Sequence, residues 1–328
     1  MTHYIKSINW IFTYKCNLKC NHCDIWSYDY KSELSIEKIK EIVNSKIIQN
    51  SYKYYWKYFD IWLSGWEPLL IENLEEKMLV IDEYLPDSIH SISTNWMLTN
   101  KLMKLLIFWK KKWKSFKKIN ISVDGKQINH DRQRWVDWSF LKVLETIWKI
   151  KKVFPEQIIE LKMTITKNNY KDIIFLCRLA NKLWVNFSFK PVENMTNYTN
   201  QKNDYNEHFS EDEIIEIENQ VYDNPYIIEQ WNYINKNFFY KIPDYLRNWL
   251  WESKKNCSIA KDSITIMPDW NVFSCILMSK IWDLRENNID EIWNWRSIKL
   301  QRNLIENGDC PECMLMCGAF KSKEIYDI

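Results

Sequence analysis

Cys16, Cys20 and Cys23 stand in the run Tyr14-Lys15-Cys16-Asn17-Leu18-Lys19-Cys20-Asn21-His22-Cys23, a C-x3-C-x2-C set. Three thiolates this close on one loop can grip three irons of a cubane cluster and leave the fourth iron open for another ligand. They could also supply three of the four ligands of a zinc ion, with His22 or His3 as the fourth. The spacing favours iron–sulfur over zinc, and both over three unrelated buried thiols. A second group follows far downstream: Cys257, Cys275, Cys310, Cys313 and Cys317. A hairpin that returns Cys275 toward Cys257, closed by a C-x2-C loop, supplies at least four thiolates for one four-iron cluster, although C-x2-C also suits structural zinc. The ninth cysteine, Cys177, lies among Ile174, Phe175, Leu176 and Leu179 and reads as a buried helix thiol.

Both groups need a scaffold. Short β-rich runs near 7–14, 59–65, 90–95, 118–124, 159–166 and 185–192 alternate with longer helical patterns, the signature of repeated βα units and a parallel sheet. The helix after the first cysteine group shows Ile36, Ile39, Ile42 and Val43 at three- and four-residue spacing, with Ser35 as its N-cap. Six βα units of an eight-unit barrel should take about 190 residues, so the fold class is α/β: a partial (βα)6 TIM-like barrel over residues 1–192. Residues 193–256 read as a helical connector, with an acidic helix around 211–220 and Pro225 and Pro243 as breakers. Residues 257–328 read as a small cysteine-rich α+β module whose hairpin runs through 263–267 and 272–275.

Composition narrows the partners. Lys+Arg 45 against Asp+Glu 43 leaves a formal charge of +2, so no global field recruits nucleic acid or a membrane. Eight lysines between Lys101 and Lys118 are interleaved with Trp109, Trp113 and Phe116, a pattern that could bind single-stranded nucleic acid but reads more simply as a solvated helix face. No uninterrupted apolar h-region opens the chain and no run approaches a membrane span, so the cytoplasm is the expected compartment. In that reducing setting, clustered cysteines read as metal or redox sites rather than disulfides.

The glycine count is anomalous. Ordinary usage of about 7% would give roughly 23 glycines, yet the chain has 4 glycines and 19 tryptophans. An AT-rich coding bias would deplete glycine, but it should deplete tryptophan too, because UGG is GC-leaning. One cause fits both counts: a gene whose UGA codons mean glycine, translated with UGA as tryptophan.

Cys16, Cys20 and Cys23 after the first strand resemble the cluster motif of radical S-adenosylmethionine (SAM) enzymes, whose fold is a partial (βα)6 barrel. That family carries Gly-Gly-Glu-Pro after the second strand, where it binds the amino group of SAM's methionine; this chain reads Ser64-Gly65-Trp66-Glu67-Pro68. Close backbone approach to a ligand is a role for glycine, and an indole at Trp66 would occupy the cofactor's place. Tryptophan also stands where glycine is expected at Trp96, Trp135, Trp138, Trp184 and Trp270. Trp26 and Trp293 fit genuine aromatic positions, and Trp10 is undecided. By the same resemblance Gly65, Trp66 (as glycine) and Glu67 would contact the methionine end. Asn95 and Ser122 would lie near the SAM ribose or carboxylate, although Asn95 and Asp124 also suit turns that cap the next helix. His22, where an aromatic is usual, would stack on adenine.

With position 270 as glycine, the downstream cysteines resemble the SPASM auxiliary-cluster module or its shortened Twitch form. A full SPASM module has seven cysteines and this chain retains five there, which implies one auxiliary 4Fe-4S cluster. The resemblance implies that the open iron of the first cluster chelates SAM, that an electron cleaves the carbon–sulfur bond, and that a 5′-deoxyadenosyl radical abstracts a substrate hydrogen. It also implies an electron donor such as flavodoxin or ferredoxin, and a peptide, protein or small-molecule substrate, with a peptide-modifying maturase as the leading reading. The alternative enzyme is a GTP cyclase of molybdenum cofactor synthesis, whose glycine- and arginine-rich tail is not matched by residues 320–328. The alternative of another class is a non-catalytic zinc-binding interaction protein.

Overall fold

Inward and outward residues alternate along the strands, and the alternation shapes the molecule. In β1 (Ser7–Ile11) Ser7 and Asn9 are partly accessible while Ile8 and Trp10 are fully buried. The same two-residue period runs through β2 (Asp60–Ser64), β4 (Lys118–Ser122) and β5 (Ile159–Ile165), with Ile61, Leu63, Ile119, Ile121, Leu161 and Ile165 packed away from water. The computed structural model describes residues 3–27, 33–193, 208–222, 238–248, 257, 259–307 and 309. With β3 (Ile89–Thr94) and β6 (Asn186–Pro191) these strands form one sheet in the order β6-β5-β4-β3-β2-β1, every neighbour parallel. All six strands expected from the sequence are present, five of them shorter and β3 shifted by one residue, and the sheet is that of a partial TIM-like barrel.

Helices α1 (Ile36–Val43), α2 (Lys46–Tyr55), α3 (Leu74–Tyr84), α4 (Thr99–Lys111), α5 (Gln127–Arg134), α6 (Ser139–Val153) and α7 (Ile173–Lys182) lie between the strands in the chain. The hydroxyl oxygen of Ser35 accepts the Lys38 N–H at 3.2 Å, so the expected N-cap of α1 is formed. In α4 the apolar residues Leu102, Leu105, Leu106 and Trp109 are buried, and Trp109 packs on Phe116 at 6.4 Å between ring centroids. Trp109 therefore belongs to the core and offers no stacking platform among the lysines. The acidic helix forms as α8 (Glu211–Tyr222). Pro243, expected to break a helix, instead stands in the first turn of Ile242–Asn248, where its missing N–H costs nothing.

The C-terminal hairpin extends the sheet. β7 (Ser263–Ile266) pairs parallel with β1, Ser7 opposite Ser263, and β8 (Asn271–Phe273) and β9 (Trp282–Asp283) follow antiparallel. No helix among the described residues is long and apolar enough to cross a membrane.

The backbone isolates the tryptophans. Among the described residues nine non-glycine residues have φ in the left-handed region, and seven are tryptophan: Trp56, Trp96, Trp113, Trp135, Trp138, Trp184 and Trp270. The other two are Asn73 and Asp87, types that tolerate that conformation. Trp184 follows α7 at φ 55°, and the next N–H, of Val185, bonds the Ala180 carbonyl at 3.0 Å, which is a Schellman helix end. Trp96 has φ 68°, is fully buried, and leaves its indole N–H without a partner. By contrast Trp293 sits inside the helix Ile289–Asn294 and donates its indole N–H to the His3 carbonyl at 2.5 Å.

Candidate active site

The three N-terminal cysteines come together at the end of the sheet where β1 to β6 finish. The loop leaving β1 carries them past the ends of β2, β3 and β4, and all three line a cavity of about 230 Å³ with His22, Gly65, Trp66, Asn95 and Ser122. Gly65 is required by its surroundings: at φ 134° a Cβ would lie 3.2 Å from the Thr13 carbonyl oxygen of the neighbouring strand's end. Trp66 lines the cavity, its ring 5.0 Å from that of Tyr14, and its φ is not in the left-handed region.

Hydrogen bonds hold the sulfurs. The Leu18 N–H donates to Cys16 Sγ at 3.4 Å and Asn95 Nδ2 donates to it at 3.8 Å. Asn95 also donates to Asn17 Oδ1 at 2.7 Å, so it braces the cysteine loop as well as lining the cavity. Arg134, at the end of α5, donates from Nη1 to Cys20 Sγ at 3.4 Å. Its other terminal nitrogen pairs with Asp124 Oδ2 at 2.5 Å, and both side chains are buried. Asp124 also accepts the Thr164 N–H at 3.1 Å, and its own N–H donates to His130 Nδ1 at 3.1 Å.

Glu67 is turned differently from the expectation. Its carboxylate accepts from the Leu69 N–H at 3.1 Å, the Thr94 hydroxyl at 2.8 Å and the Asn95 N–H at 2.7 Å, it is fully buried, and it does not line the cavity. It ties the end of β2 to the end of β3, and burial pushes its carboxyl up to about 7. Ser122 ends β4 and faces the cavity. His22 faces it too; burial holds its imidazole down to about 4, so the ring is neutral, and Nδ1 has no partner. His3 does not line this cavity.

Burial governs the ionisation of the three thiols. Burial pushes the Cys16 thiol up to about 11 and the Cys23 thiol up to about 12, and raises Cys20 against the pull of Arg134. Thiols so raised are poor nucleophiles, and a bound metal would convert them to thiolates. Among the described residues no group of three or more His, Cys, Asp or Glu side chains is gathered tightly enough to hold one metal ion. Three sulfurs on one cavity wall, an unpartnered imidazole nitrogen and a guanidinium on one sulfur fit a larger iron–sulfur group with a ligand beside it.

The second cysteine group is described in part. Cys257 and Cys275 pack against the same apolar pair, Met278 and Ile305, while Cys310, Cys313 and Cys317 lie outside the described residues. Cys177 is fully buried in α7 with its thiol pushed up to about 12, as its apolar surroundings imply. Sequence reading missed the Arg134–Asp124 pair and the lumen lysines Lys162 and Lys190. Arg134 stands one residue before a tryptophan expected to be glycine, a motif noted for that glycine and not for its arginine.

A comparison with curated protein sequences finds no match. Among solved structures, the chain is similar to SuiB of Streptococcus suis bound to S-adenosylmethionine, at 15% identity and a TM-score of 0.67 over 92% of this chain and 68% of that one. It is similar to anSMEcpe with bound AdoMet, at 15% identity and a TM-score of 0.63 over 92% and 83% of the two chains. It is also similar to BtrN in complex with AdoMet and 2-DOIA, at 13% identity and a TM-score of 0.52 over 98% of each chain. At these identities the likeness establishes the shared fold. The family model described as the Radical SAM superfamily matches residues 10–180, just over half of the chain and a span that contains Cys16, Cys20, Cys23, Asp124 and Arg134. The chain belongs to the radical SAM superfamily.

Proposed function

We propose that Cys16, Cys20 and Cys23 hold the 4Fe-4S cluster of a radical SAM enzyme that modifies a peptide or protein. The observation that carries it is the convergence of the three sulfurs on one cavity with His22 of the same loop and with Asn95 and Ser122 at strand ends. When bound, the cluster and SAM would supply a carbon radical that takes a hydrogen atom from the substrate. The chain's own residues set the conditions. Arg134 holds Cys20 and balances charge, Asn95 fixes the loop against β3, and the neutral His22 ring offers a face for adenine. The cavity at about 230 Å³ is below the ~300–1,000 Å³ range of small-molecule sites. Two indoles, of Trp66 and Trp26, line it, and an indole takes up space that a glycine would leave open.

Part of that space opens if position 66 is glycine, and the same change relieves the strained tryptophans. In this reading glycine is native at 66, 96, 135, 138, 184 and 270. Five of those six have left-handed φ, a conformation that costs an L-residue roughly 1–2 kcal/mol. Trp56 and Trp113 join them on the same ground. The gene decides: UGG at each of these positions would end the idea.

The reading also divides the chain into a barrel (1–192), a connector (193–256) and a module (257–328) in which Cys257, Cys275, Cys310, Cys313 and Cys317 bind one auxiliary 4Fe-4S cluster. The packing of Cys257 and Cys275 about Met278 and Ile305 supports it. A peptide substrate is supported by similarity to a structure of SuiB bound to the precursor peptide SuiA, at 15% identity and a TM-score of 0.66. Anaerobic purification tests the whole reading. A brown protein with iron and sulfide is expected, and stoichiometric zinc without iron would refute it. A mass change in a precursor peptide encoded beside the gene, dependent on the enzyme and SAM, would establish the substrate class.

A further inference from the structure

We propose that the lumen of the partial barrel recognises its substrate through a carboxylate, and that Lys162 is the cation that receives it. The proposal rests on the cluster reading above, because it takes the lumen to be the substrate chamber.

The lumen is a cavity of about 400 Å³, and Ser93, Ser122, Thr164 and Lys190 line both it and the cavity of the three cysteines. A group held there is therefore adjacent to the cluster site. Its wall is hydroxyl-rich, with Ser64, Ser93, Ser122 and Thr164 among its residues, and among the described residues it carries two lysines and no aspartate or glutamate. Hydroxyls can donate to the oxygens that a single ammonium leaves unsatisfied.

Charge at the lumen floor is unequal. Glu160 is buried and receives the Lys118 ammonium, the Ser188 hydroxyl and, at 3.6 Å, the Lys162 ammonium. One carboxylate serves two cations. Lys118 makes the close contact and Lys162 the longer one, while 34% of the Lys162 side-chain surface remains accessible. The register sets Lys162 opposite Ser188, so Lys190 is the next inward residue along β6, and its charge presses on Lys162 in the same sense. Burial lowers the Lys162 pKa, and an added anion would reverse that. Like charges in a poorly solvated chamber repel strongly, so a ligand that brings one negative charge is favoured by more than its contact alone. Lys118, Lys162 and Glu160 together carry one net positive charge, which a carboxylate neutralises. An acidic side chain of a peptide and a small organic acid both supply that group.

The test uses anaerobically reconstituted, SAM-bound enzyme in the Trp66→Gly background and isothermal titration at pH 7. The probes are acetyl-glutamate methylamide, its glutamine counterpart, glutarate, and two heptapeptides that differ by a central Glu or Gln. The expected result is at least tenfold tighter binding of each acid over its neutral counterpart, reduced to threefold or less in Lys162→Gln and increased in Glu160→Gln, which frees the second ammonium. Lys190→Gln should reduce the preference by a smaller factor. A peptide that outbinds glutarate assigns the carboxylate to a peptide, and the reverse order assigns it to a small acid; both uphold the lumen site. Equal binding of Glu and Gln probes, or a full acid preference in Lys162→Gln, overturns the proposal. Iron content is read on every preparation. Loss of iron from the unsubstituted enzyme refutes the cluster reading, whereas intact iron with no acid preference refutes the carboxylate site alone.

Discussion

The two cysteine neighbourhoods differ in what surrounds the sulfur. Around Cys16 and Cys20 the partners are polar and far apart in the chain: Asn95 from the end of β3, Arg134 from α5, and Asp124 behind the arginine. Around Cys257 and Cys275 the shared packing partners are Met278 and Ile305. A site that binds a charged cofactor beside its metal needs directed donors and a balancing charge; a site that binds only a cluster needs sulfur and an apolar wall. Both groups have apolar packing, Cys16 and Cys23 against Ile11, Tyr14, Ile25, Met267 and Phe273, so what marks the first is its directed donors, which suit a charged ligand; in our proposal the second holds an auxiliary cluster.

The sharpest way to break that contrast is to remove one sulfur from each. Cys20→Ala should abolish the first cluster and lower SAM-dependent turnover to background, while Cys275→Ala should lose only part of the iron and keep reductive SAM cleavage. Iron analysis and product assay on both variants check it. Equal loss in the two variants would erase the distinction.

Next in size is the arginine. Arg134→Gln leaves Asp124 buried without its cation, a loss of about 3–5 kcal/mol, and denaturant unfolding should show it. Asp124→Asn/Arg134→Gln together should recover part of it, since neither charge is then stranded. In reconstituted Arg134→Gln the cluster's midpoint potential should fall, because a positive charge near Cys20 favours the reduced state; a redox titration followed by electron paramagnetic resonance reads it.

A pH effect of similar sign comes from His130. Its Nδ1 accepts the Asp124 N–H and burial holds its pKa down to about 4, against about 6.5 for an unfolded chain. The unfolded state therefore binds the proton first, so stability falls as pH drops from about 6.5 toward 4, by at most about 3 kcal/mol. His130→Gln should flatten that part of the stability–pH curve.

The smallest effect is the most local. Trp184 is 87% exposed with φ 55°, so Trp184→Gly removes backbone strain with almost no packing loss and should stabilise by about 1 kcal/mol. Trp293→Gly, at a helical and buried position, should destabilise instead. A thermal melt separates the two.

Much of this was legible in the chain. The six strands were readable because their outer residues are continuous apolar partners with a period of two, and the cysteine loop because its three sulfurs lie within eight residues. Five of the seven left-handed tryptophans were legible, since helix ends and tight turns demand glycine whatever the letter written there; Trp56 and Trp113 were not singled out. What was hidden depends on distance along the chain. Ser7 meets Ser263 across 256 residues, which no local pattern encodes, so the hairpin's union with β1 emerges only in the sheet. Asp124 looked like a turn residue and Arg134 was not singled out, and their pairing depends on how α5 folds back over β4. The lumen lysines Lys162 and Lys190 carried no spacing signal because they lie on different strands.

The central claim is that Cys16, Cys20 and Cys23 form one SAM-cleaving centre. The measurement is 5′-deoxyadenosine formed by anaerobically reconstituted enzyme from SAM and a strong reductant, in the Trp66→Gly background that opens the cavity, with and without Cys20→Ser. The account predicts product in the first and background in the second. Product that persists in Cys20→Ser, or a Trp66→Gly enzyme that carries iron yet neither binds nor cleaves SAM, would contradict it.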